Sequence, residues 1–263
     1  MRSNGSIAWI SVAPVKGLRL EEREEVLLTE DGVPGDRAFF IVDANRGAMV
    51  SATRLGPLVG VVPAYDQSAE TLRLRFPDGK EVAGAVELGD AEKVRFVRRR
   101  VPARPVLGGY SEALSEHCGT PVRLFATPPE GSALDRGRDG AATLLSVASL
   151  ERLRLQAGVR DPVDARRFRM TFGIEGLEPH EEDGWVGHEV RAGEALLRIT
   201  GNVGRCALTT RDADTGVVDF KALHHLAYRG DVDTTEKLPF GVHGQVVEPG
   251  LVRRGDPVAA ALF

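Results

Sequence analysis

Apolar residues in the first hundred positions come in short alternating runs, separated by glycine, proline and aspartate. Residues 7–17, 24–43, 58–66, 71–84 and 92–100 carry these runs. Four to seven alternating residues bounded by turn formers predict half-buried strands, so this part reads as an antiparallel barrel or sandwich. Pro77-Asp78-Gly79 is the clearest hairpin turn.

The period changes after residue 100. Residues 108–119 predict a short helix with Ser111 as N-cap, one face formed by Ala113, Leu114 and His117, and Gly119 as terminator. Residues 127–140, rich in proline, glycine and charge, predict a mobile loop. Residues 142–158 predict a strand running into a helix capped by Ser149, and residues 161–175 a turn or short helix followed by a strand. Residues 189–201, 206–212, 241–249 and 250–262 add strands, Gly201 to Arg205 predicts a flexible turn, and residues 220–230 suit a short helix. The expected architecture is mainly β with some α. One β-barrel-like unit spans residues 1–100, and a second, with short helices, spans 101–263 behind a linker and helix at about 101–127.

With 263 residues, 42% of them apolar, the chain can bury a sizeable core. A formal net charge of −4 gives no basic field to collect nucleic acid or an anionic membrane. Arg98, Arg99 and Arg100 form the only basic run and read as a solvated strand end. About seven mainly apolar residues precede Pro14, too few for a signal-peptide core or a membrane span, so the expected location is cytoplasmic. Cys118 and Cys206 are too far apart in sequence to suggest a disulfide framework. Cys118 reads as a small buried hydrophobe at a helix end.

No phosphate-binding glycine loop, dinucleotide fingerprint or serine-hydrolase elbow occurs. Residues 212–216 begin like a calcium loop, but Gly216 and Leu223 stand where oxygen ligands are required. The six histidines have no zinc spacing. What remains is a set of cations on turns: Lys16 before Gly17, Arg37 after Gly35-Asp36, Arg54, and Arg166, Arg167 and Arg169 around Phe168. Fixed guanidinium groups on strand ends suit an extended anionic ligand, because arginine binds phosphate bidentately. Cys206 follows Arg205, and an arginine beside a thiol favours thiolate. Such a group serves as nucleophile, persulfide carrier or soft metal ligand, and a plain buried cysteine is the alternative.

Residues 204–216, GRCALTTRDADTG, resemble the signature of MOSC domains. PVKG, GVPGDRAFFIVD and the stretch around Arg54 resemble the N-terminal β-barrel that accompanies many of them. LLSVASLERL, RRFRMTF, EEDGWVGHEV, LAYRG and LPFGVHGQVVEPG follow in family order, so the resemblance covers nearly the whole chain. It implies an N-terminal barrel packed on a MOSC barrel, with a molybdenum-pterin cofactor in the cleft between them, as in amidoxime-reducing members. Carried over, Cys206 would ligate molybdenum. Lys16, Gly17, Arg37 and Arg54 would hold cofactor phosphate or pterin from the first unit. Ser146, Ser149, Arg169, Thr171 and Arg205 would contact it from the second, with Thr209 and Asp212 shaping the cysteine loop. Glu182, Asp183 and Trp185 match an acidic-Trp element that orders the cleft wall.

Two departures stand out. Met170-Thr171 replaces the family's Pro-Asn, which puts one cofactor hydrogen bond in question, and Gly17 replaces a serine. The implied activity is an oxidoreductase that reduces N-hydroxylated or similar small molecules. With no flavin, haem or iron-sulfur motif, it would need a separate electron-donating reductase. A persulfide carrier acting through Cys206 and a non-catalytic cofactor carrier are the alternative functions.

Overall fold

The computed structural model describes residues 5–96, 99–128, 137–230 and 232–261. Arg98 of the basic run and residues 129–136 of the expected loop lie outside the described residues.

Two closed β-barrels form the molecule. The larger runs through strands Phe172–Glu175, Ala142–Ser146, Pro239–Glu248, Ala195–Gly204, Glu189–Ala192, Pro257–Ala261 and Gly5–Val12. Gly5–Val12 then pairs back onto Phe172–Glu175 and closes it. Strands Val122–Ala126, Arg99–Pro105, Glu92–Phe96, Ala48–Val50 and Phe39–Asp43 make the smaller barrel, closed where Phe39–Asp43 meets Val122–Ala126. Closure removes the exposed edges that strands of this length would otherwise present. A three-stranded sheet, Val62–Asp66, Thr71–Arg75 and Glu81–Ala85, packs beside the small barrel, with Pro77-Asp78-Gly79 turning its second hairpin.

In space the chain is not divided simply at residue 100. The first strand belongs to the large barrel, and Glu25–Leu28 pairs with Gly250–Arg253 near the other end of the chain. Arg99–Pro105 and Val122–Ala126 belong to the small barrel. Chain therefore crosses between the barrels, and Lys16, Gly17 and Arg37 of the cleft lie where it does so.

Each barrel has its own core. Ile7, Ile10, Phe172, Trp185, Leu197 and Val242 fill the large one. Inside the small one, Phe40 meets Phe96 edge-on and stacks on Phe125. A third cluster, Leu145, Leu150, Leu153, Phe168, Met170 and Phe240, packs the helices against the outside of the large barrel.

Helix α1, Tyr110–Cys118, ends on Gly119 in the left-handed conformation, as the sequence predicts. Its N-cap is Gly109 rather than Ser111, whose hydroxyl instead accepts the Leu124 amide and ties the helix to the small barrel. Cys118 is half-buried against the apolar cluster that helix α1 shares with the small barrel, and burial pushes its thiol up to about 11, away from thiolate. Helix α2, Val147–Ala157, is capped by Ser146 and not Ser149. Ser149 lies inside the helix with its hydroxyl turned to a buried carboxylate, Glu182.

Two further expectations change around the cysteine. Residues 201–204 are not a flexible turn but the end of a strand paired with residues 239–243, with irregular register between Ile199 and Gly201 and between Asn202 and Gly204. Nor does Cys206 start a strand. It precedes a 3-10 turn, Ala207–Thr210, because the Thr209 amide and hydroxyl both bind the Cys206 carbonyl, at 3.2 and 3.0 Å. Threonine side chains that bond nearby backbone in this way compete with strand pairing.

Candidate functional site

A cleft of about 330 Å³ lies between the barrels. Lys16, Gly17 and Arg37 line it from the small-barrel side, and Arg167, Arg169, Arg205, Cys206 and Thr209 from the large. The Cys206 thiol is exposed at this cleft.

Backbone geometry fixes the cationic wall. Val15–Lys16 pairs in parallel with Phe39–Phe40, and the Lys16 ammonium sits 5.9 Å from the centre of the Phe96 ring. Gly17 has φ of +97°, a conformation that glycine adopts without penalty. Arg37 is left-handed, φ 52°, because its amide donates to Ala13 O at 2.7 Å and its carbonyl accepts the Thr127 hydroxyl at 2.7 Å. Its guanidinium pairs with Asp36, whose other oxygen accepts the Ala13 amide. Across the cleft, Arg169 is also left-handed, φ 53°, where it terminates the 3-10 turn Ala165–Phe168. Two arginines in this unfavourable region, one on each wall, are held by the structure around them rather than by local preference.

Arg205 differs from its sequence reading. Its guanidinium donates to the carbonyls of Phe168 and Phe240 and lies over both rings. Met170 Sδ is 2.9 Å from the same guanidinium, so Met170 packs the arginine that precedes the cysteine. Arg205 thereby pins the cysteine loop onto the outer core of the large barrel.

Five other sequence candidates do not face the cleft. Arg54 pairs with the buried Asp43 at 3.0 Å, while Ser51 and Thr53 beside it line the cleft. The Ser146 amide and Ser149 hydroxyl bind Glu182, at 3.1 and 3.2 Å. Asp212 accepts the Thr215 amide and hydroxyl, at 2.8 and 2.7 Å, and these bonds hold its carboxyl below the usual range. Thr171 sits one layer back: its amide donates to Thr143 Oγ1 at 2.8 Å, and Thr143 lines the cleft. Met49, Ser51, Thr53 and Thr143 were not singled out by the sequence, because which strand faces and turns meet the cleft depends on how the barrels close.

The acidic-Trp element lies behind the wall. Glu182 is fully buried, and burial pushes it up to about 7. Asp183 accepts Asn202 Nδ2 at 2.8 Å and pairs with the buried Arg229. Burial raises Asp183 while Arg229 opposes the rise. Asn202 is on the strand that leads to Cys206, so this buried pair stiffens the approach to the thiol. His180 Nε2 meets the Tyr228 hydroxyl at 2.8 Å, and burial pushes the imidazole down to about 4.

The hairpin after the cysteine clamps the two barrels. Arg211 donates to the carbonyls of Gly216 and, across the cleft, Thr53, at 2.6 and 2.9 Å. Arg19 of the first part pairs with Asp214 at 2.9 Å, and Asp214 also receives Arg166. Gly56 and Gly216 touch backbone to backbone, with no room for a side chain on either.

This chain is a MOSC-family protein with an N-terminal β-barrel. The MOSC domain model matches residues 131–259, and the MOSC N-terminal beta barrel domain model matches residues 4–115. The Xenopus laevis mitochondrial amidoxime-reducing component 1 is 29% identical over 97% of this chain and 81% of its own length. The Mus musculus mitochondrial amidoxime-reducing component 1 is 39% identical over 44% of this chain, a match that spans only 35% of that relative. Rice molybdenum cofactor sulfurase is 36% identical over 33% of this chain and 11% of its own length. Among solved structures, the YUAD protein from Bacillus subtilis aligns over 97% of this chain and 94% of its own, with 11% identity and a TM-score of 0.48. Family membership links the chain to molybdenum cofactor chemistry in general.

The donor set fits a cofactor of that kind. Among the described residues no group of three or more His, Cys, Asp or Glu could hold a metal ion. A metal at Cys206 would have one protein ligand, a soft thiolate, and must bring the rest on an organic carrier. Lys16, Arg37 and Arg169 on the facing walls suit an anionic group on such a carrier.

Proposed function

We propose that this protein is an oxidoreductase that binds the molybdenum-pterin cofactor in the inter-barrel cleft and reduces N-hydroxylated or similarly oxidised small molecules. The observation that carries the reading is the exposed Cys206 thiol sharing one cleft with Lys16, Arg37 and Arg169. Cys206 would ligate the metal, and Lys16 and Arg37 would hold the cofactor's anionic end with Arg169 opposite them. When bound, the cofactor supplies a two-electron centre. The N–O bond of the substrate breaks, two electrons and two protons enter, and the products are the N–H compound and water. Electrons must come from a separate donor protein, since the chain has only two cysteines and no flavin or haem motif. Thr209 holds the carbonyl of Cys206 and thereby the direction of the thiol, and the clamp through Arg211 keeps the walls at a fixed separation.

The test is reduction of an aryl amidoxime by purified protein with chemically reduced viologen as electron source. Amidine formation by protein loaded with molybdenum is the expected result, and its absence refutes the reading.

The exposed thiol also favours a second reading, supported by likeness to a molybdenum cofactor sulfurase. Here the Cys206 thiolate attacks the outer sulfur of a donor persulfide, the donor leaves as thiolate, and a Cys206 persulfide forms without net oxidation. A mass increase of about 32 Da on Cys206 after treatment with a persulfide donor supports it, one sulfur atom being added.

A further inference from the structure

Strands Glu92–Phe96 and Arg99–Pro105 of the small barrel set Arg95 directly opposite Arg100. Both are exposed, while Val94 and Phe96 on the other face of the first strand are buried. Lys93 shares the outer face with Arg95, opposite Pro102. The turn carrying Arg46, also exposed, adjoins them through the Arg95 amide, which donates to Gly47 O at 2.9 Å. Like charges facing across a strand pair destabilise it.

Among the described residues Arg46, Lys93, Arg95 and Arg100 have no ion-pair partner. Two carboxylates on adjoining strands are taken: Glu92 binds Arg123 through two bonds of 2.8 and 2.7 Å, and the buried Asp43 pairs with Arg54. Elsewhere on the surface, exposed arginines such as Arg138, Arg198, Arg253 and Arg254 do face acids.

The patch also adjoins the cleft by two routes. Phe96, next to Arg95 in sequence, carries the Lys16 ammonium over its ring. Ala48, opposite Arg95 in the barrel, precedes Met49, a cleft residue.

We infer that Arg46, Lys93, Arg95 and Arg100 form a docking face for the acidic surface of an electron-donor protein, which delivers electrons at the edge of the cleft. The inference rests on the reductase reading. A chain of formal charge −4 repels extended polyanions as a whole, so four unpaired cations in one small area suit a compact acidic patch better than nucleic acid or a charged bilayer.

The experiment uses the full chain and a plant-type ferredoxin as the acidic probe. Association is measured at low and high salt for the parent, for Arg95→Glu/Arg100→Glu, and for Arg160→Glu/Lys221→Glu. The last has the same change in net charge at two other exposed positions. The parent is expected to bind, with association falling as salt rises. The Arg95/Arg100 variant should associate on the order of tenfold more slowly at low salt. The Arg160/Lys221 variant should behave like the parent, and viologen-driven amidoxime reduction should be unchanged in both. No association by the parent, equal slowing in the two variants, or tighter binding of the parent to phosphatidylserine vesicles or duplex DNA would each overturn the docking face. Failure of viologen-driven reduction in the parent instead removes the reductase reading and leaves the binding result to be read by itself.

Discussion

Gly216→Ala tests how tightly the two barrels are clamped. Gly216 has φ of +72°, and a Cβ there would lie 2.0 Å from the Gly56 carbonyl oxygen and 2.3 Å from its carbon. Neither atom can turn aside as a flexible side chain would, since both belong to the backbone. Non-bonded heavy atoms settle at about 3.5 Å, so relief requires a shift of roughly 1–1.5 Å between the hairpin after Cys206 and the segment around Gly56. The left-handed conformation costs an alanine about 1–2 kcal/mol. Forcing an extra methyl into a packed contact adds about 1–3 kcal/mol. Gly255→Ala separates the two effects, because Gly255 has φ of +83° with nothing within 4 Å of its Cβ position. Guanidinium denaturation of both variants should show Gly216→Ala less stable than Gly255→Ala by at least about 1 kcal/mol, the contact component alone. A shift of this size beside Cys206 should also reduce chemistry that needs both walls by on the order of 100-fold. Equal losses in the two variants would refute the clamp.

The buried acids behind the wall give two more predictions. Arg229→Met leaves Asp183 charged and unpaired with its side chain only 17% exposed, and should cost about 3–5 kcal/mol in denaturation, with part recovered in the Asp183→Asn/Arg229→Met double variant. Glu182 holds a proton in the folded state up to about pH 7, whereas in the unfolded chain it releases it near 4.5, so its contribution to stability is present below 4.5 and lost as pH rises to 7. Glu182→Gln should remove that fall, a gain relative to the parent of roughly 3 kcal/mol by pH 8. His180, neutral in the fold down to about 4 against an ordinary 6.5, contributes in the opposite sense, its stability rising with pH between those values. The comparison of variant with parent, rather than the parent's own pH profile, is therefore the readout. A constant difference between the two from pH 5 to 8 would contradict the assignment.

Alternation of apolar residues made the strands legible, and the turn chemistry of Pro77-Asp78-Gly79 and Gly119 marked boundaries that the structure keeps. Closure was not legible. That Gly5–Val12 belongs to the barrel at the far end of the chain depends on pairing with Phe172–Glu175, more than 150 positions away. The same limit governs the cleft. Lys16, Arg37, Arg169 and Cys206 could be selected by residue type and family pattern, and they do share one cleft. Arg54 has the same chemistry, but the turn after Ala48–Val50 directs it to Asp43, while Ser51 and Thr53 of that turn line the cleft. Arg205 looked like a modifier of the neighbouring thiol, yet two carbonyls and two aromatic rings claim its guanidinium. Such outcomes depend on contacts between residues distant in sequence, which local pattern does not encode.

The central claim is that Cys206 holds a molybdenum-pterin cofactor between the barrels. Protein produced in a host that makes the cofactor should be analysed for molybdenum and for pterin, beside Cys206→Ser purified in the same way. The account predicts near-stoichiometric molybdenum and pterin in the parent, with the metal largely lost from a Cys206→Ser protein that keeps its fold. Metal-free parent protein, or equal molybdenum in the two, would contradict it.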